Sequence, residues 1–295
     1  MIALSLLQQE YFPSKNNRVL PEDFFVLAAH CTGKSKTFLL AHPEYLLTPE
    51  TETALREALK RRLAHEPVAY ITGQKEFYGR NFFITHDTLV PRPETELLVE
   101  EALGTLTDTG RDDISSFDII DVGTGSGNII LSIALECEKM FPASIPRYTA
   151  IDISKPALDV AQKNAASFKK KSPIQFLQSD LLSRFHPTNT HRHLLVIANL
   201  PYLSTTLWEA SMTDVRLFEP KSALESGSDG LDHYRRLLRA LHDLRTNYSA
   251  ITFLLEISPE QDALLTQHIR TLLPQAITHI RTDLSGKSRL VQGVF

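Results

Sequence analysis

The sequence predicts an α/β fold, a parallel sheet covered on both faces by helices, with a small helical segment ahead of it. Three observations predict it. Short apolar runs at residues 117–122, 147–152, 174–178, 193–198 and 250–257 alternate with helical stretches, notably 127–138, 155–167 and 231–245. Near-continuous apolar strands separated by helices are the pattern of a parallel sheet buried on both sides. Residues 1–75 lack that alternation and carry helical periodicity instead. Finally, the pieces 277–282 and 288–294 flank Ser285-Gly286-Lys287, which predicts a closing antiparallel hairpin.

Each element has a local cause. Leu4, Leu6, Leu7, Tyr11 and Phe12 mark a first short helix. Pro21-Glu22-Asp23 opens a second, with Phe24, Phe25, Leu27 and Ala28 as its apolar face and Gly33 after its end. Residues 51–64 form a third, with Leu55, Ala58, Leu59 and Leu63 on one stripe. Its other face carries Glu52, Arg56, Glu57, Lys60, Arg61 and Arg62, a solvated face or a basic landing patch for RNA. Phe77, Tyr78, Gly79, Phe82, Phe83 and Ile84 predict a short hairpin. In Pro91-Arg92-Pro93-Glu94-Thr95-Glu96 two prolines hold the chain extended, and the second starts a helix buried through Leu97, Leu98 and Ala102. The expected organisation is a helical domain over 1–75, a connecting hairpin over 76–90 and a larger domain over 91–295.

Composition excludes several classes. The 295 residues are 42% hydrophobic and 22% charged, ordinary globular usage. With 31 basic and 35 acidic residues the net charge is −4, which disfavours a dedicated duplex-DNA binder. Cys31 and Cys137 are too few and too far apart for a disulfide framework or a zinc site. His191 and His193 have no carboxylate or thiol partner nearby in sequence and read as a surface loop, so no metal is expected. No apolar run reaches the roughly 18–20 residues of a membrane helix. A cytoplasmic, reduced, soluble protein is expected, without a membrane partner.

The sharpest local feature is Asp121-Val122-Gly123-Thr124-Gly125-Ser126-Gly127, which joins the first sheet strand to a helix. Its glycines permit positive φ and close backbone approach, and the helix start offers free N–H groups. The spacing Gly-x-Gly-x-Gly misses the dinucleotide fingerprint by one residue, because position 128 is Asn. No Gly-Lys-Ser/Thr follows, so a phosphate-binding P-loop fails too. Asp152 ends the next strand, where a carboxylate can accept both hydroxyls of a ribose, and Asp180 follows the third, within reach of an adenine amine. An adenosine joined to an amino acid, S-adenosylmethionine, fits this set better than a pyrophosphate. A structural glycine turn with Asp152 as a helix cap is the plainer reading.

After the fourth strand comes Asn199-Leu200-Pro201-Tyr202. Ligands bind at the carboxyl ends of strands in open parallel sheets, so this segment belongs beside the glycine loop. The Asn199 oxygen and the Leu200 carbonyl can accept both hydrogens of a planar –NH₂, Pro201 stiffens the turn, and Tyr202 can stack on a flat group. An amide nitrogen is a poor nucleophile because its lone pair is delocalised. Two acceptors aimed at its hydrogens favour the geometry in which that lone pair meets a methyl group. The plainer reading is an Asn-Pro turn that only ends a strand.

These segments together resemble the release-factor glutamine methyltransferases of the PrmC/HemK type, over nearly the whole chain. The resemblance is carried by Glu66-Pro67-Val68-Ala69-Tyr70-Ile71-Thr72-Gly73, Glu76-Phe77-Tyr78-Gly79, the segment from Pro91 to Glu96, the glycine loop, Asp152 to Leu158, Phe218-Glu219-Pro220, Asp229-Gly230-Leu231 and the hairpin residues Asp283, Gly286 and Arg289. It implies a seven-stranded, Rossmann-like class I S-adenosylmethionine-dependent methyltransferase domain behind a small helical N-terminal domain that helps grip the substrate. The implied reaction is methyl transfer to the side-chain amide of the glutamine in the Gly-Gly-Gln motif of class 1 peptide chain release factors. The implied donor site is Gly123, Thr124, Gly125, Ser126, Gly127, Asp152, Asp180, Leu181 and Asn199. Catalysis and substrate binding fall to Asn199, Leu200, Pro201 and Tyr202, with Arg92 and Glu94 on the substrate side, in a monomer that needs no metal.

Two departures stand out. The family usually has Asn-Pro-Pro-Tyr, and here the second residue is Leu200. Ribosomal RNA adenine dimethyltransferases use Asn-Leu-Pro-Tyr, so adenine N6 in a nucleic acid is the alternative target, and a non-catalytic nucleoside-binding module ranks below it. If Leu200 supplies only its carbonyl, Leu200→Pro should keep or raise activity. Leu181 stands where relatives often carry an aromatic, which should weaken stacking on the adenine.

Overall fold

The structure, a computed structural model, describes residues 1–12, 19–108, 114–187 and 192–295. Its contacts divide the chain into two compact units, Met1–Gln74 with Ser211–Glu219, and Lys75–Ala210 with Pro220–Phe295.

The first unit is built from β1 (Ile2–Ala3), α1 (Leu4–Tyr11), α2 (Pro21–Thr32), α3 (Lys36–Ala41), β2 (Leu46–Leu47), α4 (Pro49–Leu63) and α5 (Val68–Thr72). Pro21 begins α2 and Gly33, at φ 68°, ends it in the left-handed conformation a helix stop favours. The Thr48 hydroxyl caps α4 by accepting the Thr51 N–H at 3.2 Å. The helices close over Leu4, Leu7, Phe24, Leu27, Leu55 and Leu59, all at most 1% exposed. On the charged face of α4, Arg56 bonds Glu10 and Glu52, Arg61 bonds Glu66, and Arg62 bonds Asp23. Those arginines are engaged within the unit, so the face is a network of paired charges, and the basic landing patch is not what they form.

The second unit starts with the hairpin β3 (Gln74–Phe77) and β4 (Arg80–Phe83). The hairpin groups with this unit because Asn164 brackets Phe83, accepting its N–H at 2.8 Å and donating to its carbonyl at 2.9 Å. Then follow α6 (Glu96–Asp108), β5 (Phe117–Val122), α7 (Asn128–Met140), β6 (Arg147–Asp152), α8 (Lys155–Ser167), β7 (Ile174–Gln178), β8 (His193–Ala198) and α9 (Thr205–Glu209). A short helix, α10 (Thr213–Phe218), lies in the segment that groups with the first unit. The chain continues through α11 (Asp232–Leu244), β9 (Ala250–Glu256), α12 (Asp262–Leu272), β10 (Ile277–Thr282) and β11 (Ser288–Val294).

Seven strands form one sheet in the order β10-β11-β9-β8-β5-β6-β7. Strands β7, β6, β5, β8 and β9 run parallel, whereas β11 pairs antiparallel with both β9 and β10. β5, the central strand, is buried at every position. Order reverses at β5, whose successor β6 lies on one side while β8 lies on the other. That reversal opens a crevice at the carboxyl ends of β5 and β8, the standard ligand position in such sheets. His193 opens β8 and stacks on Phe117 at 5.1 Å, so its ring is packed against a core aromatic and is not in a surface loop. His191 lies outside the described residues.

Candidate active site

The crevice holds a cavity of about 290 Å³, near the lower end of the range for small-molecule sites. The glycine loop forms its floor. Gly123, Gly125 and Gly127 take φ of 78°, 55° and 77°, values a residue with a Cβ seldom adopts. A Cβ on Gly127 would also meet the Ala161 Cβ at 3.2 Å, so this glycine lets α7 start close against α8. All five loop residues from Gly123 to Gly127 lie in the second unit, and Gly123 to Ser126 line the cavity.

Asp152 stands where β6 ends and anchors the loop. One carboxylate oxygen accepts the Gly125 N–H at 2.9 Å and the other accepts the Ser154 N–H at 2.9 Å. Burial pushes its pKa up and these N–H groups pull it down. The cap of α8 is Ser154, whose hydroxyl accepts from Ala157 N–H. Asp152 is therefore free of the capping role its position allowed. Each of its oxygens keeps a second lone pair for a ligand hydroxyl. Behind the loop, Asp121 is fully buried, accepts from the Thr124 hydroxyl at 2.7 Å, and is pushed up to about 7 by burial.

Asp180 and Leu181 line the same cavity. One Asp180 oxygen is held by Arg236 at 2.6 Å. Leu181 sits at φ 49°, an unusual conformation for a leucine, and is 8% exposed. The aliphatic side chain gives the cavity an apolar wall in place of an aromatic plane.

The turn Asn199-Leu200-Pro201-Tyr202 follows β8. Asn199, Leu200 and Pro201 line the cavity, as does Arg92. Asn199 Nδ2 donates to the Thr95 hydroxyl at 3.1 Å, which leaves the amide oxygen as the group directed elsewhere. Tyr202 is not among the cavity-lining residues. Its phenol donates to Glu256 at 3.3 Å, and its carbonyl accepts from Gln261 Nε2 at 2.8 Å. A Cβ on Gly230 would fall 2.1 Å from that carbonyl, so glycine is required there. Glu94 also stays out of the lining and faces Arg289 at 3.9 Å.

Leu200 does more than supply a carbonyl. Its side chain is 4% exposed, and its Cδ2 would lie 2.9 Å from a Cβ placed on Gly123. It packs in the same core cluster as Tyr234, a fully buried residue whose own hydroxyl bonds the Glu256 carbonyl. The leucine therefore packs this turn against the glycine loop through its side chain.

Residues 13–73 match the PrmC N-terminal domain, and residues 95–209 match the ribosomal protein L11 methyltransferase (PrmA) family. A release factor glutamine methyltransferase of Bacillus anthracis is 32% identical over 90% of this chain and 89% of its own length. One from Bordetella pertussis is 36% identical over 91% and 92%. This chain belongs to the release factor glutamine methyltransferase family. The catalytic domain of human METTL16, solved with an RNA hairpin, superposes with a TM-score of 0.56 over 92% of this chain and 91% of that one, at 14% identity. A second structure of human METTL16, in complex with SAH, has a TM-score of 0.53 over 96% and 97%, at 14% identity. Both show a shared methyltransferase fold.

Against that family frame, the residues missed by sequence reasoning are Thr95, Tyr234 and Glu256. Thr95 lay inside the Pro-Arg-Pro-Glu-Thr-Glu segment, as a small polar residue with no assigned role. Glu256 was readable as a carboxylate closing an apolar strand at the sheet's ligand-binding edge. Tyr234 gave no signal, because a tyrosine on an amphipathic helix looks like any core aromatic. Among the described residues no cluster of three or more His, Cys, Asp or Glu could hold a metal ion, and no helix is long and apolar enough to cross a membrane.

Proposed function

We propose that the chain transfers the methyl group of S-adenosylmethionine to the side-chain amide nitrogen of the Gly-Gly-Gln glutamine in class 1 release factors. The observation that carries this reading is the orientation of Asn199. With its Nδ2 committed to Thr95, the amide oxygen is the acceptor offered to a substrate –NH₂, on the wall of a cavity floored by the glycine loop. The Leu200 carbonyl supplies a second acceptor. Held by both, the substrate amide keeps its nitrogen lone pair aimed along one line.

The residues fit the donor. Asp152 meets the ribose hydroxyls, and Asp180 and Leu181 border the adenine. The N–H groups at the start of α7 meet the carboxylate of the methionine part. The bound donor supplies an activated methyl on a positively charged sulfur. In the transfer the new N–CH₃ bond forms as the S–CH₃ bond breaks, the sulfur becomes neutral, and the nitrogen gives one proton to solvent. Positioning and a polar, partly buried site carry the rate enhancement.

The helical unit would serve substrate recognition, and Arg92 would meet the incoming peptide at the cavity mouth. The protein would work in the cytoplasm as a monomer. Adenine N6 offers a similar planar –NH₂, and Leu200 is the feature that points to it, but the relatives that span this chain are glutamine methyltransferases. Labelled donor offered to a release factor and, separately, to ribosomal RNA tests the choice. Label in the release factor alone supports the reading, and label in RNA alone reverses it.

A further inference from the structure

His233, in the first turn of α11, lines the cavity and has no part in the reading above. Its ring is clamped from behind. Nδ1 lies 2.6 Å from the Ser226 hydroxyl oxygen, which also accepts the His233 backbone N–H at 3.1 Å. Ser226 is 2% exposed, and its own N–H donates at 2.9 Å to the carbonyl of Leu203, the residue after the Asn199–Tyr202 turn. The other ring nitrogen, Nε2, has no hydrogen-bond partner among the described residues.

A hydroxyl has one hydrogen, and a buried one needs an acceptor. Among the described residues, Nδ1 is the acceptor within reach of the Ser226 hydrogen. Nδ1 is therefore the bare nitrogen of a neutral imidazole, and Nε2 carries the proton. In the opposite tautomer the Nδ1–H and the backbone N–H would both point at the serine oxygen, and its hydrogen would be stranded. Burial lowers the ring's pKa and Arg236 adds to that, while Asp180, Asp232 and Glu225 oppose it. The cavity wall thus presents an N–H donor at His233. An acceptor stands beside it. Arg236, three residues on and on the same face of α11, holds Asp180 Oδ2 at 2.6 Å. Asp180 lines the same cavity, and its Oδ1 has no hydrogen-bond partner among the described residues.

We propose that His233 is a specificity residue for the methyl donor, its Nε2–H donating to a ring nitrogen that flanks the adenine amine while Asp180 accepts from the amine itself. The inference rests on the donor reading given above. Adenine carries the complement of this pair, an amine that donates beside N1 and N7, which only accept. A 6-oxo purine reverses it. Its oxygen would face the Asp180 carboxylate, and its N1–H would face the His233 N–H. Leu181 offers the base an aliphatic side chain and no aromatic plane, so recognition rests on the base edge. The Ser226 clamp fixes the ring before the donor arrives, so little order is lost on binding.

Calorimetry of the full chain with S-adenosylhomocysteine, its 1-deaza and 7-deaza analogues and its inosine analogue tests this. Each deaza analogue replaces one ring nitrogen by C–H. The wild-type chain should bind one of the two about five- to tenfold more weakly than the parent, the loss expected of one hydrogen bond. The inosine analogue should bind about a hundredfold more weakly or worse. His233→Phe, which keeps a flat ring, should weaken the parent by about the same five- to tenfold and bind the sensitive deaza analogue no worse than the parent. His233→Gln, which restores an N–H at similar reach, should recover part of the loss. A readout that needs no variant is the nitrogen NMR spectrum of the histidine rings, in which His233 should be the Nε2–H tautomer and its Nε2 signal should move when S-adenosylhomocysteine binds. Wild-type indifference to both deaza analogues, losses from His233→Phe and the deaza analogue that multiply, or an Nδ1–H tautomer would each overturn the proposal. A wild-type chain that binds no S-adenosylhomocysteine at all would overturn the donor reading and this assignment with it. Donor binding that ignores His233 and both ring nitrogens overturns the assignment alone.

Discussion

Asp152 is the anchor of the proposed donor site, since one of its oxygens accepts the Gly125 N–H of the glycine loop and the other the Ser154 N–H ahead of α8. Asp152→Ala removes both acceptors and the proposed ribose contact together. Donor affinity should fall by about a hundredfold or more, as expected when charge-assisted hydrogen bonds are lost, while circular dichroism stays unchanged. Calorimetric titration checks it, and undiminished affinity would remove Asp152 from the site. Leu200 is the residue at which sequence reasoning and structure part. On the backbone-carbonyl view alone, Leu200→Pro is harmless or beneficial. In the folded chain proline would remove the buried side chain that rests on Gly123. Losing a buried leucine side chain costs about 2–5 kcal/mol. Leu200→Pro should therefore lower both melting temperature and kcat. Retention of full activity in Leu200→Pro would restore the simpler view. The departure at 200 was legible as a letter, whereas its packing was not, because nothing in the sequence places its side chain against Gly123.

Among the elements, β5, β6, β7 and β8 were legible to the residue, because an apolar run bounded by charge or glycine has few other foldings. The glycine loop was legible for the same reason, since its spacing admits few backbones. Helix α12 was less visible. The 3-10 turn just ahead of it, Pro259–Gln261, is nonetheless marked by Ser258 and Gln261, which bond each other's backbone as a capping box. Short α3 and α5 left no long period to read, and their stability comes from packing within the first unit. In β11, Gly293 pairs directly with Phe253 of β9, and a Cβ there would sit 2.0 Å from the phenyl ring. A strand glycine of this kind marks close approach by a side chain. Gly293→Ala should displace that ring and cost about 1–3 kcal/mol, read as a lower melting temperature. Gly104→Ala, where nothing lies within 4 Å of the added carbon, should be neutral or stabilising.

For the whole molecule, two buried carboxyls set a pH dependence that no surface count reveals. Asp121 is raised from 3.8 to about 7 by burial, and Glu256 from 4.5 to about 7. The folded chain therefore holds protons that the unfolded chain has released between about pH 4 and 7, so these groups make stability fall as pH rises through that window. His233 and His268, both lowered by burial, oppose this, since the unfolded chain binds their protons first as pH falls. Asp121→Asn isolates one term: its melting temperature should exceed wild type by several degrees at pH 8 and by much less near pH 4, by calorimetry. A gain independent of pH would assign the effect to packing. At this scale the sequence was informative about class and charge but silent on the grouping of Ser211–Glu219 with the helical residues, since that short piece has no composition break to announce it. The central claim is the acceptor itself, and the most direct measurement is mass spectrometry of a recombinant class 1 release factor after incubation with the protein and S-adenosylmethionine. One added methyl should map to the side chain of the Gly-Gly-Gln glutamine, and be absent with a Gln→Ala substrate or with the Asn199→Ala protein. An unmodified glutamine under conditions where the protein binds the donor would contradict the account.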